Sequence, residues 1–264
     1  TTIYMAKHRE YQKLVKEHYH KEAQTHGGLT TSTMADKVTR RREIDTIVSY
    51  LKKGDRCLEV GCGNGAGSAM IAGAKAVTMT CIDFSEDLLS IAKKQPTKGL
   101  RGSLQFKQQD VLTLDDKKRY DVVFTERCII NLMEWQDQKN ALTRMASALK
   151  AGGRMVLVES FTDGLAELNA ARADVGLPAI GPAYHNLHLD KEKTIKHLAA
   201  EGLVFQEENN FLSTYTFGSR VVYPALARAA GKDIRYNSAF GNFFALLPNA
   251  GNYSQLKILV FKKK

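Results

Sequence analysis

A chain of 264 residues, 44% hydrophobic and 25% charged, carries enough apolar material for a sizeable buried core, which excludes a disordered tail or a disulfide-stapled miniprotein. Lys and Arg outnumber Asp and Glu by 38 to 28, and the net charge of +10 favours anionic partners without naming one. No apolar run approaches the ~18 residues of a membrane span, Thr1 to His8 carry no signal-like core, and the four cysteines lack metal-binding spacing; a cytoplasmic protein with reduced thiols and no metal is expected.

In chain order, Tyr4, Tyr11, Leu14, Val15, Tyr19 and Ala23 recur at helical spacing, which predicts an amphipathic helix over about 4–24. Gly27 and Gly28 break it, and a second helix is expected from about Met34 to Leu51, carrying Arg40, Arg41 and Arg42. Gly54 and Asp55 then turn the chain into a first strand. That strand ends in Leu58, Glu59, Val60, Gly61, Cys62, Gly63, Asn64, Gly65, Ala66, Gly67, Ser68, an apolar run opening into glycines at alternate positions. Bare backbone in such a bend lets a nucleotide-like ligand lie close to the main chain. Glu59, two residues before the first glycine, suits a cationic ligand better than a pyrophosphate. A dinucleotide reading stays open at this point, because Gly61, Gly63 and Ala66 fit GxGxxA and Asp83 lies about 20 residues on.

A second strand is expected over Ala76 to Ile82, ending in Asp83, Phe84 and Ser85, with a helix from Glu86 to Lys94. A third covers Leu104 to Gln109 and ends in Asp110 and Val111. Two acids therefore stand at the carboxyl ends of consecutive strands, where carboxylates can accept ribose hydroxyls and an adenine amino group. A fourth strand, Tyr120 to Phe124, leads into Glu126 and Arg127; a helix over Glu134 to Leu149 and a turn at Ala151 to Gly153 precede a fifth strand that ends at Glu159. Alternating strands and helices of this kind specify a parallel sheet covered on both faces.

Beyond Glu159 the rhythm breaks. Val175 to Pro182 is rich in Gly and Pro and leads to Tyr184, His185, Asn186, Leu187 and His188. A helix over Lys191 to Glu201, a strand over Leu203 to Phe211, a long insertion at 212–254 and a last strand over Gln255 to Phe261 complete the chain. Tyr215, Phe217, Arg220, Tyr223, Phe240, Phe243 and Phe244 in that insertion fit an aromatic pocket and plain packing equally well. His185 is the preferred proton acceptor among the histidines, because it sits in a Gly/Pro-rich insertion.

Residues 55–160 resemble the class I methyltransferases that use S-adenosylmethionine. Glu59 to Gly65 looks like the family's first motif, Asp83 like its ribose acid, Gln109, Asp110 and Val111 like its adenine motif, and Leu149 to Glu159 like its turn and fifth strand, with Ala151 where the family usually has proline. The resemblance implies a doubly wound α/β fold with a seven-stranded, mostly parallel sheet. It also implies one domain over 1–264: an N-terminal helical lid at 1–52, a cofactor-binding core at 53–161, and acceptor-side insertions with closing strands at 162–264. The implied cofactor is S-adenosylmethionine, with S-adenosylhomocysteine as product and no metal. Its expected contacts are the loop Glu59, Gly61, Cys62 and Gly63; then Asp83, Phe84, Gln109, Asp110 and Val111; then Arg40, Glu126 and Arg127 at the amino-acid end. His185 and Glu126 are the expected catalytic residues. The expected acceptor is the nitrogen or oxygen of a small molecule, anionic ones included because of the basic charge. An RNA methyltransferase, a non-catalytic nucleoside-binding protein and a nicotinamide dehydrogenase rank below it in that order, and the oligomeric state is unreadable.

Overall fold

The computed structural model describes residues 36–235 and 237–264 and, ahead of them, Lys13, Leu14, Val15, Glu17, His18, His20, Lys21 and Thr25. Most of the helix expected over 4–24 lies outside the described residues; the seven of its residues that are described, and Thr25 beyond it, are helical. Helix α1, Lys37–Tyr50, begins where the Asp36 carboxylate accepts the Thr39 amide at 3.0 Å and buries Ile44 and Ile47. Then follow β1 (Arg56–Val60), α2 (Ala66–Ala74), β2 (Thr78–Asp83), α3 (Glu86–Ala92), β3 (Ser103–Gln108), β4 (Tyr120–Glu126), α4 (Trp135–Ala148) and β5 (Leu149–Ser160). The remaining elements are α5 (Thr162–Asp174), α6 (Lys191–Ala200), β6 (Leu203–Asn209), three short helices α7 (Ser213–Phe217), α8 (Tyr223–Ala229) and α9 (Ala239–Phe244), and β7 (Leu256–Lys263).

The seven strands form one sheet in the order β3-β2-β1-β4-β5-β7-β6, with β1 to β5 parallel and β7 antiparallel to both neighbours. Chain direction across the sheet reverses between β1 and β4, so a crevice opens at their carboxyl ends. The inner strands β1, β4, β5 and β7 are largely buried because both sides of the sheet are covered there, whereas β3 and β6 at the edges keep exposed positions. Alternation along β4 sends Val122 and Phe124 to a layer with Ile44, Ile47 and Ile71, and Val123 to the opposite layer with Leu142, Met145 and Leu198.

Three departures from the sequence expectation have physical causes. The turn expected at Ala151–Gly153 is absorbed into a continuous β5, with a register shift between Tyr120 and Val122 opposite it; Gly152 keeps a positive φ of 75°. Helix α5 is absent from the sequence reading, because Gly164 interrupts its first turn. That glycine is demanded by packing, as a Cβ there would lie 2.0 Å from the Ser254 carbonyl oxygen. The insertion at 212–254 is helical, α7 running through a π-turn at Gly218–Val222 into α8.

Candidate active site

The bend between β1 and α2 is fixed by its neighbours. Gly61 and Cys62 both donate their amides to the Ile82 carbonyl, at 2.8 and 3.0 Å, pinning the bend to the end of β2. Gly61 has φ 80°, and a Cβ there would meet the Cys128 side chain at 2.5 Å. Gly65 has φ 73° and would collide with Ala92 and Phe106 at 2.8 Å. Both positions need glycine for conformation and for space. Asp83 completes the bend: its two oxygens accept the Gly63 amide at 2.8 Å and the Ser85 amide at 2.9 Å. Ser85 caps α3 by accepting the Leu88 amide. Asp110 accepts the Leu112 amide at 2.8 Å while also lining the crevice.

A chain of alternating charges crosses from α1 to the end of β4. Arg40 donates to Glu126 at 2.5 Å and lies 3.7 Å from Glu43, which in turn accepts from Arg127 at 2.8 Å. Glu43 was not legible as a site residue, although its spacing three after Arg40 on a helix is the signal for such a pair. Glu126 is buried, and its Oε1 has no hydrogen-bond partner among the described residues. Glu59 is buried beneath, accepting from the Ser68 hydroxyl at 2.6 Å; burial first, and then the Glu126 charge, push its carboxyl up to about 8. Arg127 holds a left-handed φ of 54°, a strained conformation for a residue with a Cβ. The turn after it is held by Glu159, which accepts the amides of Cys128, Ile129 and Ile130 at 3.0, 3.0 and 3.3 Å. In sequence Glu159 is only the end of the fifth strand.

These groups surround one crevice of about 1250 Å³, part of it open to solvent. All twelve residues expected at the cofactor, Arg40, Glu59, Gly61, Cys62, Gly63, Asp83, Phe84, Gln109, Asp110, Val111, Glu126 and Arg127, line it. Val15 from the leading segment, Asn131 to Glu134, and Asp137 line it too. His185 does not belong to this lining. Its ring stacks on His18 with centroids 3.9 Å apart, and burial together with the His18 charge pushes it down to about 4. Among the described residues, no insertion aromatic lines the crevice; Tyr223, Phe240, Phe243 and Phe244 pack on one another, and Tyr215 donates to Asp36.

Residues 57–153 match the family model described as a methyltransferase domain, the same stretch that supplies the bend, both strand-end acids and β4. The core of this chain is similar to methyltransferase domains. Around it, the chain is 26% identical over 136 residues to the O-methyltransferase cnsE of Penicillium expansum, covering 51% of this chain and 47% of that protein. It is 29% identical over 110 residues to phosphoethanolamine N-methyltransferase 3 of Arabidopsis thaliana, covering 41% and 22%. The matched stretch spans about half or less of these curated relatives. Among solved structures, the magnesium protoporphyrin IX methyltransferase of Synechocystis PCC 6803 with bound S-adenosylhomocysteine shares the fold at a TM-score of 0.55 and 17% identity, over 86% of both chains.

Proposed function

We propose that the methyltransferase domain transfers a methyl group from S-adenosylmethionine to an oxygen or nitrogen of a small molecule. The carrying observation is the convergence of the Gly61–Gly65 bend, Asp83 and Asp110, from three successive strand ends, on one crevice within the matched segment. When bound, the cofactor supplies a methyl group already activated on a sulfonium, which leaves the protein to bind, align and handle one proton. In this reading the bare backbone at Gly61 to Gly63 underlies the methionine part, and Asp83 accepts the ribose hydroxyls with the lone pairs its two amide bonds leave free. Phe84 packs on the adenine, and Gln109, Asp110 and the Val111 amide meet its edge. Arg40 takes the carboxylate, for which its guanidinium fork is suited, while Glu59 and Cys62 adjoin the ammonium.

Proton acceptance moves from His185 to Glu126. Glu126 lines the crevice with an unpartnered oxygen, whereas His185 is engaged by His18 away from the lining. Crevice charge also bears on the acceptor. Among the described residues, five acids besides the largely protonated Glu59, namely Asp83, Asp110, Glu126, Glu134 and Asp137, face two arginines that are themselves ion-paired. That balance favours a neutral or cationic acceptor over an anionic one or a polyanion, in spite of the basic whole. Incubation with methyl-labelled S-adenosylmethionine and a panel of amines, alcohols, phenols and carboxylates tests the proposal. Label in an amine or hydroxyl product supports it; label confined to carboxylates or to RNA contradicts the acceptor class, and saturable binding without transfer to any of them contradicts catalysis.

A further inference from the structure

Eight large apolar side chains are strongly exposed among the described residues, and five of them, Leu226, Ile234, Phe240, Phe243 and Leu246, fall within the β6–β7 insertion. Phe240, Phe243 and Leu246 recur every third residue along α9 and the turn that follows, which puts them on one side. Tyr223 stacks on Phe240 at 5.6 Å, lies one turn before Leu226 on α8, and accepts the Arg235 amide at 3.4 Å. Leu246 is 82% exposed, so packing within the fold accounts for little of it. Arg228, Lys232 and Arg235 are exposed in the same stretch, and residues 212–254 hold four basic residues against one acid, Asp233.

We propose that this face docks on an anionic lipid bilayer. The apolar tips are held outward by a well-fastened inner side: Phe244 covers Gly218, Arg42 of α1 donates to the carbonyls of Phe211 and Ala245, and Thr214 donates to the Pro248 carbonyl. A contiguous apolar patch presented in this way marks a contact surface. Charge selects the occupant. A second copy of the same face would set basic residues against basic residues, and Leu226, Ile234 and Leu246 offer a nucleic acid no ring to stack on. A bilayer with anionic headgroups uses both halves, taking Phe and Leu tips into the headgroup–acyl boundary and basic side chains at its negative surface. The same insertion braces α1, which carries Arg40 of the crevice.

Cosedimentation of the full chain with phosphatidylcholine vesicles containing about one-quarter phosphatidylglycerol, against vesicles of phosphatidylcholine alone, tests the surface without reference to the cofactor. Binding about tenfold tighter to the anionic vesicles, weakened by added salt, is expected. The variants Phe243→Ser with Leu246→Ser, and Lys232→Glu with Arg235→Glu, should each lower it at least about fivefold while S-adenosylhomocysteine binding and the circular dichroism spectrum stay as in the parent. Absence of vesicle binding, equal binding to both vesicle types, or an unchanged response of the variants would overturn the proposal. So would a concentration-dependent dimer that the same variants dissolve in the absence of any vesicle binding.

Discussion

Glu59 ties the stability of the fold to pH. Its carboxyl sits near 4.3 in an unfolded chain and is pushed up to about 8 when folded, so between those values the folded protein holds the extra proton. Stability from this group therefore falls as pH rises from about 4.3 to about 8 and is level above. Glu59→Gln removes that slope: thermal melts from about pH 5 to about pH 8.5 should show the variant gaining on the parent as pH rises. A constant gap across the range would mean that Glu59 ionises normally. Asp83 makes a different contribution, because it orders the bend through Gly63 and is proposed to receive the ribose. Asp83→Ala should weaken cofactor binding by about 1–3 kcal/mol, read by calorimetry. At this scale the sequence was informative at the tips of β2 and β3, since strand order alone brings Asp83 and Asp110 together. It was silent on Glu43 and Glu159, whose partners, Arg127 and the 128–130 amides, lie 84 and about 30 residues away.

Between elements, the loop after β4 depends on supports from two sides. Gly61 leaves room for Cys128, and Glu159 at the end of β5 gathers three amides of the following turn. Gly61→Ala must accommodate both a left-handed φ and a Cβ 2.5 Å from sulfur, and should cost about 2–3 kcal/mol in chemical denaturation while abolishing tight cofactor binding. Glu159→Ala strands buried amides and should cost about 2–4 kcal/mol by the same measurement, with Glu159→Gln recovering part of it. A loss below about 1 kcal/mol in either alanine variant would show that the turn is held otherwise. Strands of apolar residues ending in an acid or a glycine were readable at this scale, because burial on both faces leaves a continuous signature. Helix α5 was not. Its glycine answers to Ser254, a neighbour 90 residues on that no local pattern records.

Across the whole molecule, the closing strands β6 and β7 are fastened to α5 by a buried cation. Lys257 near the start of β7 is fully buried and donates to Asp163 of α5 at 2.7 Å, Glu208 of β6 at 2.8 Å and Asn252 at 2.5 Å. Hydrogen bonds and charge from Lys257, joined by Asn252 and Lys191, overcome burial and hold the Asp163 carboxyl down to about 2. Lys257→Met leaves those carboxylates short of a partner and should destabilise the fold by about 2–4 kcal/mol in urea, with little change if the network is dispensable. The order of elements was legible over residues 55–160 and much less so beyond, where chain-distant charges and short helices replace regular alternation. The account rests on an adenosyl ligand in the crevice between β1 and β4. Isothermal titration of the protein with S-adenosylhomocysteine is the decisive test: one-to-one saturable binding, weakened about fivefold or more in Asp83→Ala, is the predicted result. No saturable heat, or equal affinity in parent and variant, would contradict it.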